Sequence, residues 1–250
     1  MICNGKTDVG MKRKNNQDSF ALFAKEGYFC AIVCDGMGGA KGGNVASALA
    51  VKTFASVVKK AFSSKNPDDY TENEIKSLLK SAVDQANYAV YSKSKTNADL
   101  EGMGTTLVAV IVCLCGTFAV NIGDSRLYKQ TENVLIQVST DHSFVQYLIE
   151  KGELTPEQAV NHPNKNIILR ALGVNERVEC DLFRIDNYDR LLLCTDGLTN
   201  HVNNERIAEI ISGTYTTKET SYKTRTEKLI TEANEGGGLD NITAVLLGSE

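Results

Sequence analysis

Hydrophobic residues along the chain follow two periodic patterns, which predict groups of strands alternating with groups of helices. Short apolar runs such as Tyr28–Cys34 and Leu107–Leu114 are typical of buried strands. Apolar residues at helical spacing predict helices over Asn44–Phe62 and Glu72–Ser92. The other predicted strands are Ser19–Lys25, Thr117–Ile122, Leu127–Lys129, Leu135–Ser139, Leu182–Ile185, Arg190–Cys194 and Ile242–Leu247, and the other predicted helices are Asn204–Ser212 and Glu219–Asn234.

The order of these elements distinguishes between fold classes. A strand pair, two helices, several strands, two helices and a last strand lack the strict alternation of a doubly wound parallel sheet. The order fits a layered α/β sandwich instead. From His142 to Gly173 the pattern changes to short helical pieces, interrupted by Gly152, Pro156 and Pro163. An inserted segment of this kind is typical of a lid beside a functional site.

Composition and charge limit the possible functions. The 250 residues, 42% of them hydrophobic, are sufficient for one large domain with a sizeable core. The net charge is −4 and no basic block is present, which argues against nucleic-acid binding. No stretch approaches ~18 uninterrupted apolar residues, and the N-terminus has no apolar segment of signal length. We therefore expect no membrane association and a cytoplasmic location.

The seven cysteines show neither a CxxC pair nor a matching histidine spacing. Several of them lie within apolar runs, where a free cysteine behaves as a small hydrophobic residue. We therefore expect reduced, mostly buried thiols, with a structural zinc site, a disulfide and a reactive thiol as the alternatives. The cysteines are Cys3, Cys30, Cys34, Cys113, Cys115, Cys180 and Cys194.

Five aspartates lie in or beside turns that contain glycine or asparagine, and most follow an apolar run. They are Asp18, Asp35, Asp124, Asp196 and Asp240. Turn chemistry at strand ends puts side chains at the rim of a sheet, where several carboxylates can meet. Oxygen-only sites select hard divalent cations, so the cluster predicts Mg²⁺ or Mn²⁺ binding. Such a cluster is costly to assemble unless a cation neutralises it.

Metal ions held by carboxylates indicate phosphoryl chemistry. Two ions roughly 3.5–4 Å apart would activate water and polarise a phosphoryl oxygen, without a protein nucleophile. Arg13 would then bind the phosphate, because guanidinium matches phosphate oxygens in a bidentate fork. Taken alone, one Asp-Gly pair is usually just a turn, Arg13 is a solvated surface charge, and Asp8 is a turn or capping residue. Only their joint occurrence favours a metal site.

Other catalytic schemes find less support in the sequence. The histidines are His142, His162 and His201, and there is no GxSxG motif for a Ser-His-Asp hydrolase. The glycine-rich segment Gly36–Gly43 fits neither GxxxxGK[ST] nor GxGxxG, so nucleotide binding by this loop is not indicated.

Six short motifs resemble, in order and spacing, those of the metal-dependent (type 2C) serine/threonine protein phosphatases. They are Arg13–Asp18, Asp35–Gly39, Glu101–Thr106, Gly123–Arg126, Thr195–Gly197 and Gly238–Asn241. The segment from Thr140 to Gly173 resembles the flap region of that family. The resemblance extends from about Thr7 to Leu247, and the compact length and the Asp-Gly-Met-Gly-Gly sequence are most similar to the bacterial branch.

The resemblance implies an α+β fold, a four-layer α-β-β-α sandwich of two antiparallel sheets flanked by helices. Residues 1–250 would form a single catalytic domain with a flap over about 141–170. The implied cofactors are two tightly bound Mn²⁺ or Mg²⁺ ions and a third, weaker ion. The implied roles are Asp35 bridging both metals, the Gly36 carbonyl, Asp196 and Asp240 as ligands, Asp18 holding metal-bound water, Asp124 with Asp196 at the third site, and Arg13 binding phosphate.

Two positions depart from the family pattern. Gln17 stands where many members have glutamate, so direct carboxylate ligation at that point is not expected. Met37 stands where animal members have a histidine proposed as general acid. Protonation of the leaving group must then come from metal-bound water or another group. His162 in the flap is a candidate, and a structural histidine is the alternative interpretation.

The predicted function is hydrolysis of phosphoserine and phosphothreonine in proteins by metal-activated water. The expected partners are phosphorylated proteins, among them a bacterial Ser/Thr kinase and its targets, and the expected state is a monomer. Two other hypotheses remain. One is a catalytically silent binding module that regulates a kinase, which loss of the metal-ligand aspartates would indicate. The other is a metal-dependent phosphatase of small phosphoesters or nucleotides.

Overall fold

The computed structural model describes residues 1–214 and 220–248, and within them the side chains of all but residues 40 and 41. Two antiparallel sheets form the centre of the molecule. In spatial order the first consists of β1 (Ile2–Asp8), β11 (Ile242–Gly248), β10 (Arg190–Cys194), β7 (Arg126–Thr131) and β8 (Val134–Gln137). The second consists of β2 (Asp18–Lys25), β3 (Tyr28–Met37), β5 (Leu107–Cys113), β6 (Gly116–Ile122) and β9 (Asp181–Ile185), with the short β4 (Gly104–Thr105) paired to the end of β3.

Helices cover the outer faces of both sheets. The helices on the second sheet are α1 (Gly39–Ser64) and α2 (Glu72–Thr96), and those on the first are α5 (Asp196–Thr199), α6 (Asn204–Ser212) and α7 (Tyr222–Glu235). Two more, α3 (Phe144–Glu150) and α4 (Pro156–Val160), lie between β8 and β9 in the chain. In the part of the chain that the structure describes, no helix is long and apolar enough to cross a membrane.

The alternation of side chains along β3 explains the layering. Cys30 and Ile32 pack in the core between the second sheet and its helices. Their neighbours Phe29, Ala31 and Val33 pack in the core between the two sheets. A strand that is buried on both faces has a continuous apolar sequence, and β3 has such a sequence. The observed architecture confirms the predicted α+β fold and its four α-β-β-α layers.

Some element boundaries differ from the predicted ones. β1 was not predicted, because Ile2–Asp8 is an edge strand with a polar sequence and only partial burial. β3 extends three residues past Cys34, since Gly36 and Met37 pair with β4. α1 begins at Gly39 rather than Asn44. The predicted last helix began at Glu219, which lies outside the described residues.

The predicted flap is a segment whose two ends are joined to each other. Ser143 pairs with Ile168 in an isolated bridge, and the Leu169 N–H donates to the His142 carbonyl at 2.7 Å. α3 and α4 lie between these ends. The base of the flap is therefore fixed by backbone hydrogen bonds.

A buried asparagine on α2 fixes the chain just after the flap. Asn87 is 1% exposed, and its Oδ1 accepts from the Gly173 N–H at 2.8 Å. Its Nδ2 donates to the carbonyls of Asn175 and Glu176 at 3.0 and 2.9 Å. One side chain thus satisfies three backbone groups of a loop without regular structure.

Replacing Asn87 by alanine should destabilise the fold. We expect the free energy of unfolding to fall by about 2–4 kcal/mol, since buried backbone groups lose their partners. The better helix propensity of alanine returns about 0.5 kcal/mol of this. Urea unfolding checks the value, with Gln85→Ala on the exposed face of the same helix as the control. A loss below about 0.5 kcal/mol would show that the loop does not depend on Asn87.

Candidate active site

The five aspartates predicted from the sequence lie where strands of both sheets end, at one end of the sandwich. Asp18 is the first residue of β2 and pairs directly with Asp35 on β3. Asp124 lies between β6 and β7, and Asp196 begins α5 two residues after the end of β10. Asp240 precedes β11 by two residues. Antiparallel packing therefore brings side chains that are more than 200 positions apart to one place.

The backbone of Asp35 is fixed on both sides by two threonines. Its N–H donates to Thr106 Oγ1 at 2.8 Å, and its carbonyl accepts from the Thr106 N–H and from Thr105 Oγ1, each at 2.8 Å. Thr105 and Thr106 are fully buried. Because the main chain is held this firmly, the carboxylate of Asp35 has a defined direction.

The glycines after Asp35 and Asp196 are required by the protein's own backbone. A Cβ at Gly36 would lie 2.0 Å from the Gly43 carbonyl oxygen. A Cβ at Gly197 would lie 2.0 Å from the Asn241 carbonyl oxygen. At both positions the absence of a side chain admits neighbouring backbone.

Asp18 is the most buried member of the cluster. Its Oδ2 accepts from Thr243 Oγ1 at 2.6 Å and from Thr195 Oγ1 at 2.9 Å. Its Oδ1 is buried and has no hydrogen-bond partner among the described residues. Burial is the main cause that raises the pKa of Asp18 to about 7, and the charges of Asp196 and Asp240 contribute. An unpartnered buried carboxylate oxygen indicates a ligand that supplies positive charge or protons.

Mutual repulsion acts on the rest of the cluster as well. Burial raises the pKa of Asp124 to about 8, and Asp196 and Asp141 add to the shift. The pKa of Asp35 is raised well above its ordinary value, first by burial and then by its charged neighbours. The pKa of Asp196 is raised by burial and by Asp240. The raised pKa values favour the protonated form of these groups, whereas a bound cation would favour the ionised form.

The donor set fits a hard divalent cation. Every candidate ligand is an oxygen, which suits Mg²⁺ or Mn²⁺. In residues 1–214 and 220–248, no three acidic, histidine or cysteine side chains already stand in coordinating positions. The Arg13 guanidinium pairs with Asp240, with Nη2 donating to Oδ2 at 2.8 Å.

A cleft of about 780 Å³ opens over the cluster. Asp18 lies behind the wall of this cleft. The other predicted site residues line it together, and they are Arg13, Asp35, Gly36, Asp124, Asp196 and Asp240. A smaller cavity of about 350 Å³ continues from Asp124 and Asp196 under the flap. The structure thus brings all the predicted site residues to one place, while their roles as ligands stay a prediction.

Asn241 is a site residue whose individual role sequence reasoning missed. Its Oδ1 accepts from the Gln17 N–H at 2.8 Å, and its Nδ2 donates to the carbonyls of Val9 and Asn15 at 2.9 and 3.0 Å. These three bonds hold the N-terminal loop that carries Arg13. The only sequence signal was its place beside Asp240, which does not reveal what the side chain contacts.

Two other residues of the cleft were also missed. Asn200 donates from Nδ2 to Asp196 Oδ2 at 3.1 Å, from one helical turn further along. His201 Nε2 accepts from the Leu239 N–H at 3.1 Å and so positions the loop before Asp240. The i, i+4 spacing of Asn200 from Asp196 is a signal that could have identified the first contact.

The structure also locates the residues about which the sequence was ambiguous. Gln17 Nε2 donates to the Gly39 carbonyl at 2.9 Å, so this side chain supports the start of α1. Met37 lines the cleft and offers no proton. His162 Nδ1 accepts from the Asn164 N–H at 3.2 Å, and the ring packs against Phe144. This placement agrees with the structural interpretation of His162.

Comparison with known proteins agrees with this geometry. The profile of the family described as protein phosphatase 2C matches residues 11–231. The serine/threonine phosphatase Stp of Listeria monocytogenes is 40% identical over 245 residues, which are 97% of this chain and 93% of the relative. The serine/threonine phosphatase of S. agalactiae superposes with a TM-score of 0.89 at 33% identity, covering 100% of this chain and 99% of that one.

A further solved structure bears on the metal. The catalytic domain of the protein phosphatase PstP, solved with two manganese ions, has a TM-score of 0.77 and 34% identity, covering 98% of this chain and 96% of that one. The family function is metal-dependent removal of phosphate from phosphoserine and phosphothreonine. The fold, the aspartates in the cleft and these similarities together confirm the predicted resemblance, and the chain belongs to the protein phosphatase 2C family.

Proposed function

We propose that the 780 Å³ cleft is the site at which this phosphatase hydrolyses phosphoserine and phosphothreonine side chains of other proteins. One observation carries the proposal: five buried or half-buried aspartates lie in or just behind the wall of a single cleft, and burial and neighbouring charges raise the pKa values of four of them. Burying several like charges together is unfavourable. A pair of divalent cations would neutralise them, and the relief of this repulsion would favour cation binding.

The first two ions would be held mainly by three carboxylates. Asp35 would bridge both ions, with the Gly36 carbonyl as an additional oxygen, and Asp196 and Asp240 would complete the first ion's ligands. When bound, the ions supply a nucleophilic water and neutralise charge on the phosphoryl group. The two manganese ions of the related PstP domain support this number and type of ion.

Two further aspartates would act around this pair. Asp18, behind the cleft wall, would orient water through its unpartnered Oδ1, because Thr195 and Thr243 already fix its Oδ2. Asp124 and Asp196, which both line the cavity under the flap, would hold a third and weaker ion. These assignments explain why a carboxylate is present at each of the five strand ends.

Arg13 would bind the substrate phosphate. Its guanidinium is half-exposed at the cleft and pairs with Asp240 at the edge of the cluster. A phosphate dianion offers the same bidentate geometry as a carboxylate, with more charge. Exchange of Asp240 for phosphate would therefore free Asp240 for a cation and place the substrate beside the ions.

The partners and cellular setting are also proposals. We expect the chain to act as a monomeric, single catalytic domain in the cytoplasm, and to oppose a Ser/Thr kinase by dephosphorylating that kinase and its targets. The naming of Listeria and Streptococcus relatives as serine/threonine or protein phosphatases supports phosphorylated proteins as substrates.

The decisive test of the assigned site is phosphate release by Asp35→Asn. We expect Mn²⁺-dependent release from a phosphothreonine peptide by the wild-type chain, abolished by excess chelator and restored by metal. Asp35→Asn should lower kcat on the order of a thousandfold, because it removes the bridging charge.

The matched control is Asp69→Asn, which changes an exposed aspartate that does not line the cleft. It should leave release unchanged, and circular dichroism should show both variants folded. Equal activity of Asp35→Asn and Asp69→Asn would contradict the bridging role. Nucleotides and sugar phosphates in the same assay distinguish a protein phosphatase from an enzyme of small phosphoesters.

Asn241 should act on catalysis through Arg13, and a double-mutant cycle tests this. Arg13→Ala should raise KM for the phosphopeptide roughly 10–100-fold, since it loses charge-assisted hydrogen bonds to phosphate. Asn241→Ala should raise KM as well, because the loop that carries Arg13 loses three hydrogen bonds.

In the Arg13→Ala background the same Asn241→Ala change should have little further effect on KM. Asn133→Ala, an exposed asparagine in the β7–β8 turn, serves as the control. Additive effects of the two substitutions would show that Asn241 acts independently of Arg13.

A further inference from the structure

Two thiols lie in contact at the tip of the β5–β6 hairpin. Cys113 ends β5, Leu114 and Cys115 form the two-residue turn, and Gly116 begins β6. The Cys113 and Cys115 Sγ atoms are 3.3 Å apart, and Cys113 Sγ lies 3.5 Å from the Gly116 carbonyl oxygen. A tight hairpin turn therefore holds both sulfurs on the same side.

The surroundings of this pair differ from those of the core cysteines. Cys30, Cys34 and Cys194 are fully buried, as expected from their apolar runs. Cys113, which the sequence also placed in such a run, is only partly buried, and so is Cys115. Each of these cysteines is a free thiol. Small oxidants can therefore reach the hairpin pair, but not the core cysteines.

We propose that Cys113 and Cys115 form a redox-active dithiol that closes into an intramolecular disulfide on reaction with a low-molecular-weight disulfide. A disulfide bond is about 2.05 Å long, so the two sulfurs need to approach by only about 1.2 Å. This inference is independent of the phosphatase function proposed above.

The reaction proceeds by two thiol–disulfide exchanges. The Cys115 thiolate attacks one sulfur of the oxidant, forming a mixed disulfide and releasing one small thiolate. Cys113 Sγ then attacks Cys115 Sγ, forms the internal bond and displaces the second small thiolate. The two cysteine thiol protons end on the two released thiols, so two cysteines are oxidised and one small disulfide is reduced. Burial raises the pKa of the Cys113 thiol to about 12, which favours Cys115 as the first nucleophile.

Metal binding explains the pair less well than redox chemistry. A structural zinc site takes four ligands. Within the ranges that the structure describes, no third cysteine, histidine or acidic side chain joins these two thiols. The hairpin is also remote from the aspartates, since β5 begins beside Thr106 and its seven residues, about 23 Å of strand, end at Cys113.

The experiment is oxidation of the reduced full-length chain by glutathione disulfide, followed by alkylation, trypsin digestion and mass spectrometry. Cleavage after Lys95 and Arg126 gives a peptide that contains Cys113 and Cys115 and no other cysteine. We expect this peptide to lose the mass of two hydrogens and to take up no alkylating agent. Closure should exceed the glutathione adduct at Cys180 by roughly tenfold, because its second step is intramolecular.

Two variants make the result specific. Cys115→Ser should abolish the closed peptide, and Cys180→Ser, which changes another partly buried cysteine, should leave it unchanged. Phosphatase activity of the oxidised wild-type chain should stay within about twofold of the reduced chain, since the hairpin tip lies far from the cleft. Stable glutathione adducts on both thiols, unmodified thiols, or a disulfide linking two chains would each overturn the proposal.

Discussion

Burial of several neighbouring carboxylates at one end of the sandwich is the constraint on which the proposed active site depends. Asp18, Asp35, Asp124 and Asp196 each have a raised pKa, and burial is the first cause in every case. A fold that only maximised its own stability would not bring such groups together. A positively charged ligand that binds at this end of the sheets would relieve the unfavourable electrostatic energy.

The scaffold tolerates this repulsion because the main chain around the cluster has little freedom to relax. Buried threonines hold the backbone of Asp35 and the Oδ2 of Asp18. At Gly36 and Gly197 neighbouring backbone approaches so closely that no side chain fits. Asn241 ties the loop of Arg13 to the same region. The three apolar cores therefore stabilise a fold that holds these charged side chains in fixed positions.

The sequence predicted the layers of the fold and the composition of the site, but not the contacts that hold the site. The apolar run of β3 and the helical spacing of apolar residues in α2 were recognisable because these elements must bury apolar side chains in any arrangement. β1 escaped prediction because its pairing with β11 depends on residues about 240 positions away. Asn241 was missed because its partners are backbone groups, which leave no pattern in side-chain identity. The Asp-Gly pairs were recognisable, although the reason for their glycines was visible only in three dimensions.

Proton release on Mn²⁺ binding, measured by calorimetry in buffers of different ionisation enthalpy, tests directly whether the raised pKa values belong to a cation site. The folded pKa values of Asp18 and Asp124 are raised to about 7 and about 8, so these groups still hold protons at about pH 6 and have lost most of them at about pH 9. A cation must displace those protons. We expect Mn²⁺ binding to release protons at about pH 6, and the affinity for Mn²⁺ to rise toward about pH 9. Binding without proton release, at an affinity that is constant over this range, would contradict this expectation.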